Sequence, residues 1–474
     1  MSPIFSAQEL HSIVGGKLFE NDWSVSGISI DSRNIKKNDL FIALKAKRDG
    51  NDFIISAIEN GAKAAIINKI PEGLPKNFPF ILVNDSVVAL YSIAKYSRKK
   101  HKGKVIAITG SVGKTSTKDI LTKMLSTFGV THSSQKSFNN HLGVPITLAN
   151  IPKNADYVIC EIGMNSKGEI EPLSKLVAPD VAVITNISAA HLASFKNTKE
   201  IAYEKASICF GLKKNGLLIF SVDNNYYDLI NNFVLERKLK SITFGSNENA
   251  EIRIENISHV NNISYGSLLF KNEVFTTFSL GALGSHQLKN CLAAIAVILS
   301  YDLSLKKALK ELKEWVPRDG RGNFLDINLR YKLKDIRIKV IDESYNSNPT
   351  SLDASLEILK LVQFDTKKKI SRKIAILGDM LELGVKEKEF HRDIANNSNI
   401  NSFDIIHCVG SLIKELYLEL PREKKGLLVS KPSDLLSHIL INAEDRDIYL
   451  IKGSNSIGLS FIANRLYKLN NKYV

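Results

Sequence analysis

The stretch KVIAITGSVGKTSTKDIL, Lys104 to Leu121, places two glycines, a lysine and several hydroxyl side chains at a point where the chain pattern changes. Val105 to Ile108 is a short apolar run, and Ile120, Leu121, Met124, Leu125 and Phe128 recur at helical spacing, so the pattern predicts strand, tight turn, helix. Gly110 and Gly113 allow positive φ in the turn and bring backbone N–H groups towards an anion at the helix N-terminus. Ser111 and Ser116 lie in the same loop, Lys114 is suited to the outer phosphates, and the Thr115 hydroxyl to magnesium. The common phosphate loop reads G-x-x-x-x-G-K-S/T, and Ile108 stands where its first glycine belongs. The loop therefore implies a nucleoside triphosphate without naming the reaction.

Other strand ends converge on the same place. Glu161 follows YVIC, Asn186 follows VAVIT, and His191 comes five residues later. A carboxylate and an imidazole above the loop suit magnesium coordination and substrate phosphates. Taken singly, the three also read as a capping acid, a turn residue and a packed histidine.

The elements that must position these groups read as α/β. At 474 residues the chain has room for about three domains. Residues 1–99 mix short strands and helices in a smaller α/β domain. Residues 100–316 alternate strands such as YVICEIG and VAVITNI with helices, which predicts a mostly parallel sheet of the P-loop type covered on both faces. Ligands in such sheets bind beyond the carboxyl ends of the strands. WVPRDGRGN, Trp315 to Asn323, reads as a linker, and LSLKKALKELKEWV before it as an amphipathic packing helix. After it KVIDES, KIAILGD, DIIHCVG and DIYLIKG predict a doubly wound, Rossmann-like domain over 317–474.

Composition narrows the class. Hydrophobic residues at 44% and charged residues at 24% belong to a soluble globular protein. No apolar run approaches a membrane span, and MSPIFSAQELHSI lacks the basic start and apolar core of a signal peptide. Cys160, Cys209, Cys291 and Cys408 are scattered singly, which argues for reducing cytoplasm rather than disulfides or a zinc site. The net charge of +15 is spread along the chain, and the one basic cluster, KYSRKKHKGK at Lys95 to Lys104, reads as a solvated linker. Basic residues are not interleaved with aromatic ones, so no nucleic-acid partner is expected.

The set ITGSVGKTST, SFNNHLGVPITLA, EIGMNSKGEIEPL, NISAAHLASF, GSHQLKNCLAA, DESYNSNPTSLDA, ILGDMLELG and IKGSNS resembles the Mur ligases of peptidoglycan synthesis, in the family's order and over nearly the whole chain. That family uses a shorter T-G-S/T-x-G-K-S/T loop, which accounts for Ile108. Within it, ESYNSNP is similar to the member that joins D-alanyl-D-alanine to UDP-N-acetylmuramoyl-tripeptide with ATP and Mg2+ through an acyl phosphate.

The resemblance implies roles residue by residue. Lys114 falls on the phosphates, Thr115 and Glu161 at magnesium, and His191 near a second magnesium. Lys205 matches a lysine that carbon dioxide converts to a carbamate, which would also bind metal. Arg321 matches an arginine that reaches the ATP phosphates, Asn290 an asparagine near adenine, and Asp342 and Tyr345 the nucleotide-facing edge of the last domain. Ser32 and Arg33 match a segment near the uridine nucleotide, and Asn139 and Asn140 one that faces the substrate. Gln287, Glu343, Asn455, Ser207 and Asn51 depart from the family pattern. The alternatives are the ligase that adds the third amino acid, a folate polyglutamate ligase of the same architecture, and a basic ATPase stimulated by nucleic acid. The expected enzyme is a cytoplasmic monomer.

Overall fold

A computed structural model of the chain describes residues 3–470, apart from 46–47, 136, 272, 332–333 and 365–370. Three large sheets follow one another along the chain. The first has the order Lys17–Phe19, Phe80–Leu82, Ala62–Ile67, Asp39–Ile42, Gly27–Ser29, with all but its first pairing parallel.

The second sheet carries the phosphate loop and has nine strands. From Thr131–Ser133 through Tyr157–Glu161, Lys104–Thr109, Val181–Ile184, Leu217–Ser221 and Lys240–Gly245 to Ile252–Val260 every pairing is parallel. The central strands are buried along almost their whole length because helices cover both faces. Helices Lys114–Leu125 and Ser285–Ser300 close one face over Ile106, Ile108, Val183 and Ile219. Helices Gly143–Ala149, Ile170–Val177, Thr198–Ala206 and Tyr227–Glu236 lie on the other, which Val158, Cys160, Ile184 and Phe220 fill. The sheet continues into an antiparallel extension, Ile252–Val260, Ile263–Phe270 and Glu273–Leu280, which the sequence reading did not separate from the parallel part.

The third sheet has the order Asn323–Tyr331, Lys334–Glu343, Ile448–Lys452, Lys373–Gly378, Ile405–Val409, Lys425–Val429, parallel beyond its first hairpin. Three α/β sheets, the middle one mostly parallel and the last doubly wound, agree with the fold class read from the sequence.

Two local expectations need correction. The basic run Lys95–Lys100 is no solvated linker but the end of helix Ser86–Lys100, where Arg98 is buried. Its guanidinium donates to the Val177 carbonyl at 2.5 Å and to the Ala178 carbonyl at 2.7 Å. Those carbonyls end helix Ile170–Val177 and have no partner within it, so a cation there is favoured. The amphipathic segment before Trp315 is helical only over Leu305–Leu309. Leu305, Ala308, Leu312 and Trp315 still pack into the core of the second sheet, Leu312 and Trp315 on turns rather than on a continuing helix.

At the junction between the second and third sheets, Arg318 clasps Asp119 on helix Lys114–Leu125, with Nε at 2.6 Å and Nη2 at 2.7 Å. Asp119 is buried, and burial raises its pKa against the pull of Lys118 and Arg318. Hydrogen bonds to charged groups contribute about 1.5–3 kcal/mol, and the half-exposed Arg318 side chain puts this pair towards the lower end. Arg318→Ala should lower the thermal midpoint accordingly in scanning calorimetry; an unchanged midpoint would show that the clasp does not hold the junction.

Candidate functional site

Strand Lys104–Thr109 lies between strands reached by crossovers to either side, so its carboxyl end opens a crevice. The turn after it is tight. Gly110 has φ +152 and a Cβ there would meet the Thr185 hydroxyl at 1.9 Å; Gly113 has φ +84 and a Cβ would meet Asn290 Oδ1 at 2.2 Å. Bonds from the neighbouring strand end fix the loop: Ser111 N–H donates to the Asn186 carbonyl at 2.9 Å, and the Thr185 hydroxyl to the Val112 carbonyl at 2.6 Å. Glycine at these two positions is all that the geometry asks, and Ile108 is free to be a buried strand residue.

Around this loop lies a cleft of about 400 Å³. Ser111, Gly113, Lys114, Thr115, Ser116, Asn139, Asn140, Glu161, His191, Asn290, Arg321 and Tyr345 all line it. Lys114 Nζ folds back on the Gly110 carbonyl at 2.7 Å, and burial lowers its pKa while Arg321 acts in the same direction and Glu161 opposes. The Glu161 carboxylate accepts from the Thr115 hydroxyl at 2.8 Å and from the Asn139 amide at 2.8 Å. Arg321 arrives from the far side of the junction, donates to the Ser137 hydroxyl at 2.9 Å, and rests 3.9 Å from the centre of the Tyr345 ring. Asn290 donates to Gln287 Oε1 at 3.3 Å, so the amide that replaces the family asparagine stays within the site.

Other expected residues sit differently. Asn140 uses its Oδ1 to cap helix Gly143–Ala149, accepting from the Leu142 and Gly143 N–H groups at 3.1 and 2.9 Å. Gly110 lies behind the cleft lining. Asp342 is buried beneath the wall, where it accepts from Gly320 N–H at 2.9 Å and from the Ser344 hydroxyl at 2.6 Å. It shapes the loop that carries Arg321 and Tyr345. Lys205 is buried behind the lining with its ammonium 3.8 Å from Met164 Sδ. Burial, with Lys114 beside it, takes its pKa well below the ordinary lysine value. Ser32 and Arg33 are on the first sheet's edge, outside the cleft; Arg33 is exposed and pairs with Asp31 through two bonds of 2.8 and 2.9 Å.

Sequence reasoning missed several buried groups in or behind the cleft lining. Lys118 is fully buried, 3.7 Å from both Glu161 and Asp119, and donates to the Ser134 carbonyl at 2.8 Å. Its place one helical turn after Lys114 was the available signal. Lys452, also buried, donates to the Asn346 carbonyl at 2.9 Å and stands 3.7 Å from Glu343. Burial raises the Glu343 pKa, which Lys452 counters. His286 lines the cleft with an unpartnered Nδ1, and burial depresses its pKa to about 4.

With this geometry described, the comparisons are direct. Three family profiles match in chain order: "Mur ligase family, catalytic domain" over residues 24–95, "Mur ligase middle domain" over 108–298, and "Mur ligase, glutamate ligase domain" over 330–455. The chain is 33% identical over 457 residues to the UDP-N-acetylmuramoyl-tripeptide–D-alanyl-D-alanine ligase of Rickettsia prowazekii, covering 96% of this chain and 98% of that one. It is 31% identical over 448 residues to the ligase of the same name in Bacillus subtilis, covering 93% of each. Among solved structures, MurF from Acinetobacter baumannii superposes with a TM-score of 0.81 at 27% identity over 99% of both chains. The chain belongs to the Mur ligase family.

The loop yields the sharpest test of the site. Gly113→Ala would force a non-glycine into positive φ and against Asn290, so affinity for an ATP analogue should fall by at least about tenfold. Unchanged affinity in a calorimetric titration would remove this loop from nucleotide binding.

Proposed function

We propose that the chain is an ATP-dependent ligase that joins D-alanyl-D-alanine to UDP-N-acetylmuramoyl-tripeptide. The observation that carries this reading is end-to-end similarity to ligases of that name, spanning 96% of this chain and 98% of the relative from Rickettsia prowazekii. The cleft chemistry supports it. A carboxylate is a poor acyl donor until it bears a good leaving group. In the proposed reaction a carboxylate oxygen of the tripeptide attacks the terminal phosphorus of ATP, and the bond from that phosphorus to ADP breaks. The dipeptide amine then attacks the acyl carbon, the carbon–oxygen bond to phosphate breaks, and the amine loses a proton. Products are the amide, ADP and phosphate.

The chain's own residues supply position and charge for these steps. Loop N–H groups and Lys114 receive the outer phosphates, and Arg321 adds a second cation from across the junction. Asn290 and Tyr345 bound the region assigned to the nucleoside. The cleft also fits magnesium: the Thr115 hydroxyl and the Glu161 carboxylate are hard oxygen donors 2.8 Å apart. Among the described residues no group of three or more His, Cys, Asp or Glu side chains is placed to hold a metal, so substrate oxygens would complete the shell, as magnesium commonly requires. Magnesium there would neutralise charge on the phosphates.

Lys205 takes a separate role in this reading. Burial favours the free base of this amine over its ammonium, and the free base is the form whose nitrogen adds to carbon dioxide with release of a proton. The resulting carbamate replaces a buried cation by an anionic oxygen donor. The four cysteines are free and buried, which suits the reducing cytoplasm expected from the sequence, and no helix among the described residues is long and apolar enough to cross a membrane.

Phosphate release should require UDP-tripeptide and D-alanyl-D-alanine together; equal turnover with a single free amino acid would point to the ligase for the third residue. Lys114→Ala should lower turnover by about 10²- to 10³-fold, as loss of a preorganised charge does; a near-normal rate would contradict its role. Lys205→Ala should be nearly inactive and partly rescued by short carboxylic acids, whereas full activity at limiting magnesium would overturn the carbamate.

A further inference from the structure

The loop after strand Lys373–Gly378 of the third sheet reaches across to the loop that carries His191. Glu382 Oε2 faces His191 Nδ1 at 2.5 Å, and the Glu382 carbonyl accepts from Ala193 N–H at 3.1 Å. Two residues later a Cβ on Gly384 would stand 3.1 Å from the Leu192 carbonyl, so the two backbones run against one another. Both loops hold a non-glycine in the left-handed region at this point, His191 with φ 56 and Glu382 with φ 65. Such backbone persists only where surrounding structure fixes it, and it concentrates at functional sites.

The platform under Glu382 is firm although its carboxylate is half exposed. Met380 and Leu383 on either side are buried in the third sheet's core. Met380 N–H donates to His391 Nε2 at 2.9 Å, and Leu381 N–H to the Ser454 hydroxyl at 2.8 Å. Asp379, next in the loop, accepts from the Ser411, Leu412 and Ile413 N–H groups. The carboxylate is thus delivered by a fixed loop rather than by a free side chain on a surface.

We propose that Glu382 is a positioning residue for His191: it accepts the Nδ1 proton and leaves Nε2 as the acceptor nitrogen that the ring offers to the cleft. An ionised carboxylate can only accept, so the contact assigns the tautomer. Burial and the nearby Lys114 lower the His191 pKa against the pull of Glu382, which favours the neutral ring, the form in which the choice of tautomer matters. In isolation a histidine has no such preference fixed for it. A carboxylate behind the distal nitrogen orients an imidazole and raises the basicity of the other nitrogen, and its loss commonly lowers activity or metal affinity by about 10- to 100-fold. Because His191 and Glu382 come from different sheets, the ring is set only when the third sheet is seated on the second. Closure would then be sensed at the imidazole itself.

This inference rests on the proposed ligase reaction in the cleft that His191 lines, and its first test needs no substrate. In protein carrying 15N-histidine, with the His191 ring assigned through His191→Gln, the nitrogen shifts should report Nδ1–H in the metal-free wild type. Glu382→Ala should move the ring to the Nε2–H form or to a mixture, and Glu382→Gln, whose amide carbonyl still accepts, should keep Nδ1–H. In the complete reaction Glu382→Ala should lower kcat by about 10- to 100-fold with little change in KM for ATP, and Glu382→Gln should recover most of that loss. An Nε2–H ring in the wild type, or a tautomer and kcat indifferent to Glu382→Ala, would overturn the proposal. A wild type that shows Nδ1–H, with the switch seen in Glu382→Ala, but that lacks dipeptide-dependent turnover would sink the proposed reaction and leave the positioning role standing.

Discussion

Buried charge of both signs is the constraint around which this site is built. Lys114 and Lys452 are both lowered in pKa by burial, and Arg321 stands close enough to depress both further. Glu161 and Glu343 are the carboxylates on the cleft wall near them, and Glu161 is already engaged by Thr115 and Asn139. Taking a charge out of water costs several kcal/mol unless a partner compensates it. Lys114, Lys289, Arg321 and Lys452 on the cleft wall are matched by Glu161, Glu169, Asp223 and Glu343, and it is Lys114 and Arg321, brought together at the loop, that offer nucleotide phosphates charge of the required sign.

No single element could assemble that arrangement. The phosphate loop supplies Lys114, the linker supplies Arg321, and the last parallel strand of the third sheet ends in Lys452. The junction is consequently as much a part of the site as the loop. Arg318 on Asp119, Arg321 on Ser137 and Glu382 on His191 each join the second sheet to the third. Asp119 sits beside Lys118, which in turn faces Glu161. A continuous line of charged contacts therefore runs from the linker to the carboxylate that meets Thr115.

What the sequence revealed, and what it hid, follows from the range of the interactions. The loop was legible because Val105 to Ile108 and the helical repeat after Lys114 are local patterns, and Ile108 proved no obstacle once the turn needed only Gly110 and Gly113. Strand ends at Glu161 and His191 were legible for the same reason, since a parallel sheet puts its strand ends on one rim. Lys118 was not, because a lysine between threonine and aspartate reads as a solvated residue until the sheet beneath it is known. Arg98 was misread likewise: it belongs to a basic run, but the carbonyls it caps are 79 and 80 residues away. Glu382 was read only as part of ILGDMLELG and given no role of its own, since its partner lies 191 residues earlier. Asp342 shows the opposite case, a residue whose motif pointed to the nucleotide while its side chain holds the Gly320 turn.

The central claim is that the cleft around Lys114 and Arg321 activates a carboxylate by transferring a phosphoryl group to it. Oxygen tracing tests this most directly. With 18O in the terminal carboxylate of the UDP-tripeptide, attack on phosphorus and later cleavage of the carbon–oxygen bond must carry one labelled oxygen into the released phosphate. The account predicts one 18O per phosphate formed, at the rate of amide synthesis, by mass spectrometry. Phosphate released without label while the amide forms would contradict it.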